Sequence, residues 1–150
     1  MIRAAHTADL DKTTLKAARA LLDAAFSDDF FTEDDWEHGL GGVHALAYDH
    51  DELVGHGSVV QRRLIHQDRA LRAGYVEGVA VAAHARRRGH ATALMTELNR
   101  IIRSAYDLGA LGATDEAVAL YTRCGWQRWE GPLFALTPDG VVATPDEQGA

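Results

Sequence analysis

Apolar positions along this chain change their spacing several times, and each change marks a structural element. From Asp9 to Phe26, residues Leu15, Ala18, Leu22, Ala25 and Phe26 fall on one stripe at helical spacing, with Thr7 and Asp9 ahead as caps. In the following run, Asp28-Asp29-Phe30-Phe31-Thr32-Glu33-Asp34-Asp35-Trp36, Thr32 is placed to cap a short second helix. Acidic residues crowd its first turn, as the helix dipole favours, and the pair Gly41-Gly42 ends it. Alternating and β-branched runs then predict strands over Val43 to Tyr48, Leu53 to Leu64 and Leu71 to Val81. The short polar links between them imply an antiparallel meander. Helical spacing returns at Ala91, Leu94, Leu98, Ile101, Ile102 and Ala105, as far as Gly109. Leu108 to Ala113 reads as a short buried strand, Asp115 to Cys124 as a helix stopped by Gly125, and Leu133 to Leu136 as a last strand. The expected fold class is therefore α/β: a mixed, mostly antiparallel sheet with helices on both faces. One domain accounts for residues 1–150, with a polar, loosely ordered tail from Val141 to Ala150.

Composition narrows the partners. With 47% hydrophobic and 25% charged residues over 150 positions, the chain has the make-up of one globular domain, not of a disordered or collagen-like segment. Fifteen Lys and Arg against 22 Asp and Glu give a net charge of -7, which disfavours nucleic acid and anionic membranes and suits a cationic partner. Cys124 stands alone, so no internal disulfide can form, and a cytoplasmic location is expected. No apolar stretch approaches the ~20 residues of a membrane helix. The eight histidines show no metal-ligand spacing, and His38, His44, His50 and His56 read as surface or capping residues. No metal is expected.

The informative stretch runs from Tyr75 to Ala91, a strand leading through a loop into a helix. Arg86, Arg87 and Arg88 precede Gly89, His90 and Ala91 where a helix begins, so unpaired N–H groups, a positive dipole end and local cationic charge coincide. A diphosphate suits such a place, and a solvated, charged helix entry is the plainer alternative. Gly78 interrupts an otherwise regular strand, which marks a bulge or a close backbone approach. Up to the bulge, alternation puts Glu77 on one face with Tyr75, Val79 and Val81, a carboxylate beside the suspected anion site.

These residues carry a resemblance. Val76 to Leu98, with Arg86-Arg87-Arg88-Gly89-His90-Ala91 matching the pattern Arg/Gln-x-x-Gly-x-Gly/Ala, resembles the acetyl-CoA segment of the GNAT N-acetyltransferase superfamily. Ala119-Leu120-Tyr121-Thr122-Arg123-Cys124-Gly125-Trp126 resembles its late helix. A finer likeness is to aminoglycoside 2'-N-acetyltransferases. It rests on His6-Thr7-Ala8-Asp9-Leu10-Asp11, Asp35-Trp36-Glu37-His38, Leu40-Gly41-Gly42-Val43-His44-Ala45-Leu46, Val60-Gln61-Arg62-Arg63-Leu64-Ile65, Tyr75 to Val81, Tyr106-Asp107-Leu108-Gly109-Ala110-Leu111 and Gly131-Pro132, and so covers almost the whole chain.

The resemblance implies a GNAT fold and direct acetyl transfer from acetyl-CoA to the 2'-amine of an aminoglycoside. Val79, Ala80 and Val81 would bind the pantetheine arm by backbone pairing, and Arg86 to Ala91 would hold the pyrophosphate mainly through N–H groups. Glu77 would accept the amine proton, and Tyr121 would protonate the departing sulfur. A phenol titrating near ~10 stays protonated at neutral pH. Acceptor contacts would come from Asp29 (with Asp28 as the alternative), Glu77, Gly78, Gly112 and Glu147, with Glu33, Asp34 and Asp35 adding charge for a polycation. The likeness also implies a homodimer, and a further strand and acidic segment beyond Pro145 that this chain does not include. The alternatives are a GNAT enzyme for another small amine (a polyamine, amino sugar or amino acid) and a non-catalytic acetyl-CoA-binding module.

Overall fold

In the computed structural model, which describes residues 1–28 and 31–145, five strands form one mixed sheet in chain order. They are β1 (Ile2–His6), β2 (Val43–Asp49), β3 (Glu52–His66), β4 (Arg69–Val81) and β5 (Leu108–Leu111). The first four pair antiparallel, with Ile2 opposite Ala47, Val43 opposite Val59 and Val60 opposite Tyr75. The link between β3 and β4 is the two-residue turn Gln67-Asp68, with φ of 50° and 60°, the positive pair that matches the twist of a tight hairpin. β5 is reached through a helical crossover, as a parallel neighbour requires.

Helices cover both faces. α1 (Lys12–Ala25) is capped by Asp11, whose carboxylate accepts from Thr14 N–H at 2.7 Å; Thr7 and Asp9, expected as caps, instead form a preceding 3₁₀ turn. α2 (Glu33–His38) has the expected cap: Thr32 and Asp35 satisfy each other's backbone N–H groups. It ends at Gly39, two residues before the expected Gly41-Gly42. α3 (His90–Ala105) follows a 3₁₀ turn at Ala83–Ala85.

Glycines in β3 decide how close these helices come. A Cβ at Gly55 or Gly57 would press on Leu94 or Leu98 of α3, at 3.0 and 2.9 Å. Their absence lets α3 lie flat on the sheet, burying Leu94, Met95 and Leu98 completely. On the opposite face Leu21 and Leu22 of α1 pack with Ala80, flanked by Phe26, Phe31 and Trp36.

The described residues form two compact units, Met1–Ala110 and Leu111–Ala150. The second holds α4 (Val118–Arg123) and the hairpin of β6 (Phe134–Thr137) with β7 (Gly140–Ala143). β7 therefore takes up the first residues of the expected tail. Among the described residues no helix is long and apolar enough to cross a membrane.

Candidate active site

The site begins at the break in β4. Ser58 faces Glu77 and His56 faces Ala80, so two residues of β4, Gly78 and Val79, stand against the single Gly57. Gly78 has φ +57°, the left-handed conformation of the first residue in a glycine bulge. The bulge expected at Gly78 is thus present. Beyond it β4 runs on to Val81, whereas β5 starts level with Arg72, whose carbonyl accepts from Asp107 N–H at 2.9 Å, and is only four residues long. The end of β4, Val79 to Val81, therefore extends past its neighbour.

Glu77 lies just before the bulge, its side chain 22% exposed. Arg62 Nη2 of β3 donates to Glu77 Oε1 at 3.0 Å, and the same guanidinium stacks 5.1 Å over the Tyr75 ring. A side chain at Gly39, where α2 ends, would meet Glu77 Cβ at 3.7 Å. The carboxylate thus stands beside the end of α2, and the acidic first turn of that helix lies about 6–9 Å further along its axis. Of that turn, Asp35 is taken up by the cap and Glu33 by Arg19 at 2.6 Å. The expected acidic cluster is in part structural. Asp28 is exposed, and Asp29 and Glu147 lie outside the described residues.

The loop from Arg86 to Gly89 has the shape of an anion cradle. Arg87 (φ +61°) and Gly89 (φ +85°) both adopt left-handed conformations, of the kind found in anion-binding nests. Gly89 is the N-cap of α3 and, like any glycine, offers no side chain to cap the first turn. Two of the three arginine side chains are engaged elsewhere. Arg88 Nη1 binds Asp49 at 2.6 Å and holds that carboxyl below its ordinary value, and Arg86 Nε reaches the Val81 carbonyl at 3.3 Å. His90 Nε2 is buried beside the loop with no hydrogen-bond partner among the described residues.

In the second unit Tyr121 lies on α4, half-buried, and burial pushes its hydroxyl above the ordinary value of 10.0. Gly112 is exposed in the same unit. Among the described residues no cluster of three or more His, Cys, Asp or Glu is placed to hold a metal ion.

The structure corrects one reading outright. His44 and His56, expected at the surface or as caps, are 0% and 1% exposed, inside the sheet face under α1 and α2. Thr7 Oγ1, His44 Nε2, His44 Nδ1, His56 Nε2, His56 Nδ1 and the Gly78 carbonyl form one chain, with contacts of 2.7, 2.9 and 2.8 Å. The signal in the sequence was Gly55-His56-Gly57: two glycines that bring a helix close on one face oblige the residue between them to point into the other.

Burial, and for His44 the neighbouring His56 ring, lower both histidines from 6.5 to about 4. The unfolded chain binds protons on these rings near 6.5, whereas the folded chain binds them only near 4. Stability is therefore expected to fall as pH drops through that window, by about 1 kcal/mol per ring per pH unit, and to level off below it. Urea unfolding at pH 7, 6, 5 and 4.5 checks this; a flat profile across the window contradicts it.

Comparisons with known proteins agree with this arrangement. Residues 6–129 match the family model described as an acetyltransferase (GNAT) domain. The aminoglycoside 2'-N-acetyltransferase of Mycolicibacterium fortuitum is 48% identical over 145 residues, covering 97% of this chain and 74% of that protein. Among solved structures, the aminoglycoside N-acetyltransferase AAC(6')-Iy in complex with CoA is 19% identical at a TM-score of 0.68, with 92% of this chain and 94% of that one covered. Glucosamine-6-phosphate N-acetyltransferase from Arabidopsis thaliana is 18% identical at 0.60, covering 89% and 95%. These two show the shared fold. A bulged fourth strand that overruns its neighbour, a backbone cradle at the start of α3 and a model match across most of its length place the chain in the GNAT acetyltransferase family.

Proposed function

We propose that the protein acetylates the 2'-amine of aminoglycosides with acetyl-CoA in a ternary complex, as one catalytic domain acting in the cytoplasm. The 48% identity to an aminoglycoside 2'-N-acetyltransferase over 97% of the chain carries this reading. Acetyl-CoA supplies an activated thioester. The left-handed Arg87 and Gly89 offer the N–H groups of Arg86 to Ala91 to its pyrophosphate, a fit that leaves Arg86 and Arg88 in their internal contacts. Backbone groups of Val79, Ala80 and Val81, beyond the end of β5, take the pantetheine arm, and Val79 N–H faces the developing oxyanion.

The acceptor enters beside α2. Its ammonium groups are drawn by the acidic first turn of that helix, with Asp28 or Asp29, Gly78, Gly112 and Glu147 completing the contacts. Glu77 takes the proton from the amine, directly or through water, and so exposes the nitrogen lone pair. Tyr121, kept protonated by burial, returns a proton to the sulfur. A homodimer is part of the same reading.

Two experiments test it. Release of CoA thiol is expected with kanamycin-like and gentamicin-like acceptors that carry a free 2'-amine, and not with polyamines; turnover of polyamines alone would assign the enzyme to another amine, and acetyl-CoA binding without turnover would mark a binding module. Tyr121→Phe is expected to lower kcat by about 10²-fold at unchanged acetyl-CoA affinity. An unchanged kcat removes Tyr121 as the acid.

A further inference from the structure

A bulge breaks a ladder, and the carbonyls it leaves behind must find other partners. Here both partners come from β3 side chains. Ser58 Oγ, 0% exposed, donates to the Glu77 carbonyl at 3.4 Å, and His56 Nδ1 meets the Gly78 carbonyl at 2.8 Å. These residues flank Gly57, the one position that faces two on β4. The side chains that repair the break are therefore set by the same register that creates it.

Direction in the His56 chain is forced. A carbonyl only accepts, so His56 Nδ1 carries the proton, which leaves His56 Nε2 bare in the neutral ring. His44 Nδ1 must then donate to it, and His44 Nε2, 2.7 Å from the Thr7 hydroxyl, takes its single proton in a hydrogen bond ahead of the Gly42 carbonyl at 3.3 Å. Thr7 Oγ1 in turn accepts from Gly41 N–H at 2.9 Å. Every polar atom on the two rings is satisfied with both rings neutral. A van der Waals wall completes the support: a side chain at Gly78 would meet Leu22 Cδ1 at 3.3 Å and the His56 ring at 3.5 Å.

We propose that His56, held by His44 and Thr7, is a positioning residue that fixes the Gly78 bulge and thereby the aim of Glu77 and Val79 on its two sides. This rests on the acetyl-transfer reading of Glu77 to Val81. A histidine here does what a backbone N–H cannot, since Gly57 is matched against two residues at once. The second ring lets the donor be oriented from outside the site, from the start of β2 and the residue after β1.

The first test needs no variant. Nitrogen-15 spectra of the wild-type protein labelled at histidine should show His44 and His56 as neutral Nδ1–H tautomers at pH 7. Either ring as the Nε2–H tautomer, or charged, overturns the chain. The second compares His56→Leu with His56→Asn. Both leave His44 without its acceptor, but only asparagine keeps an N–H where Nδ1 stood. His56→Leu should lower kcat about 10²-fold, and His56→Asn should recover to within about tenfold of wild type. Wild-type turnover in a folded His56→Leu, or no difference between the two variants, overturns the positioning role. If the wild type accepts no aminoglycoside, that reading fails on its own, and acetyl-CoA affinity by calorimetry carries the comparison: weaker in His56→Leu and restored in His56→Asn. Equal affinity in both variants then overturns the proposal.

Discussion

Glu77→Gln is expected to lower kcat/KM for an amine acceptor by about 10²–10⁴-fold while acetyl-CoA affinity stays near wild type. Glutamine keeps the shape of the side chain, and its Oε1 can still accept from Arg62, 3.0 Å away in the wild type. The local fold is therefore retained, with a hydrogen bond in place of this partly buried ion pair. What glutamine lacks is the ability to take a proton from an ammonium, so a protonated acceptor reaches the thioester without its lone pair. Two further readouts separate this from a misfolded site. A small added base such as imidazole should restore part of the rate, because the missing function is proton acceptance. Arg62→Gln, which breaks the same ion pair but leaves the carboxylate, should lose far less than Glu77→Gln. Full turnover by Glu77→Gln, measured as CoA thiol release, would falsify the base assignment.

Much of this architecture was legible because local pattern and long-range pairing agree. The stripe from Leu15 to Phe26 and the recurrences from Leu94 to Ile102 need only a partner face, and α1 and α3 appear where the spacing put them. Gly78 is legible for another reason: a glycine amid Val76, Val79 and Val81 marks a bulge or a close backbone approach, and the register shift shows the bulge. Elements fixed by their partners were harder to read. β1 has one large apolar residue, Ile2, and exists because β2 supplies a ladder from Ala47 to Val43. β7, largely exposed, is held by pairing with β6. In the site the backbone cradle was legible from Gly89 and the helix start, whereas the engagement of Arg88 with Asp49 was not. Thirty-nine positions separate those two residues, and no local pattern joins them. His44 and His56 were misread for a related reason. Polarity suggests a surface, and only the sheet register shows that each ring satisfies the other.

That register also identifies the most vulnerable glycine. Gly42→Ala is expected to destabilise the protein by on the order of 3 kcal/mol, against about 1 kcal/mol for Gly41→Ala next to it. The two fail for opposite reasons. Gly41 has φ +83° with open space around it, so alanine there suffers only the strain of a left-handed backbone. Gly42 has no such φ, but a Cβ on it would land on the Val59 carbonyl oxygen, 2.8 Å from the carbonyl carbon and 3.0 Å from Val60 Cγ1. Neither obstacle is a flexible side-chain end. Val59 lies in the middle of β3, paired with Val43 on one side and Val76 on the other, so relieving the clash means moving a central strand or peeling away the start of β2. The second route also disturbs the Gly42 carbonyl, which accepts from Thr7 N–H at 2.9 Å, and His44 two residues on. Gly42→Ala should therefore weaken acetyl transfer as well, through the support of the bulge, although residue 42 is not among the proposed substrate contacts. Urea midpoints of the two variants, with kcat for each, decide the matter: equal midpoints would show that β2 yields at no cost, and a stability loss without a change in kcat would show that the start of β2 and the bulge are independent.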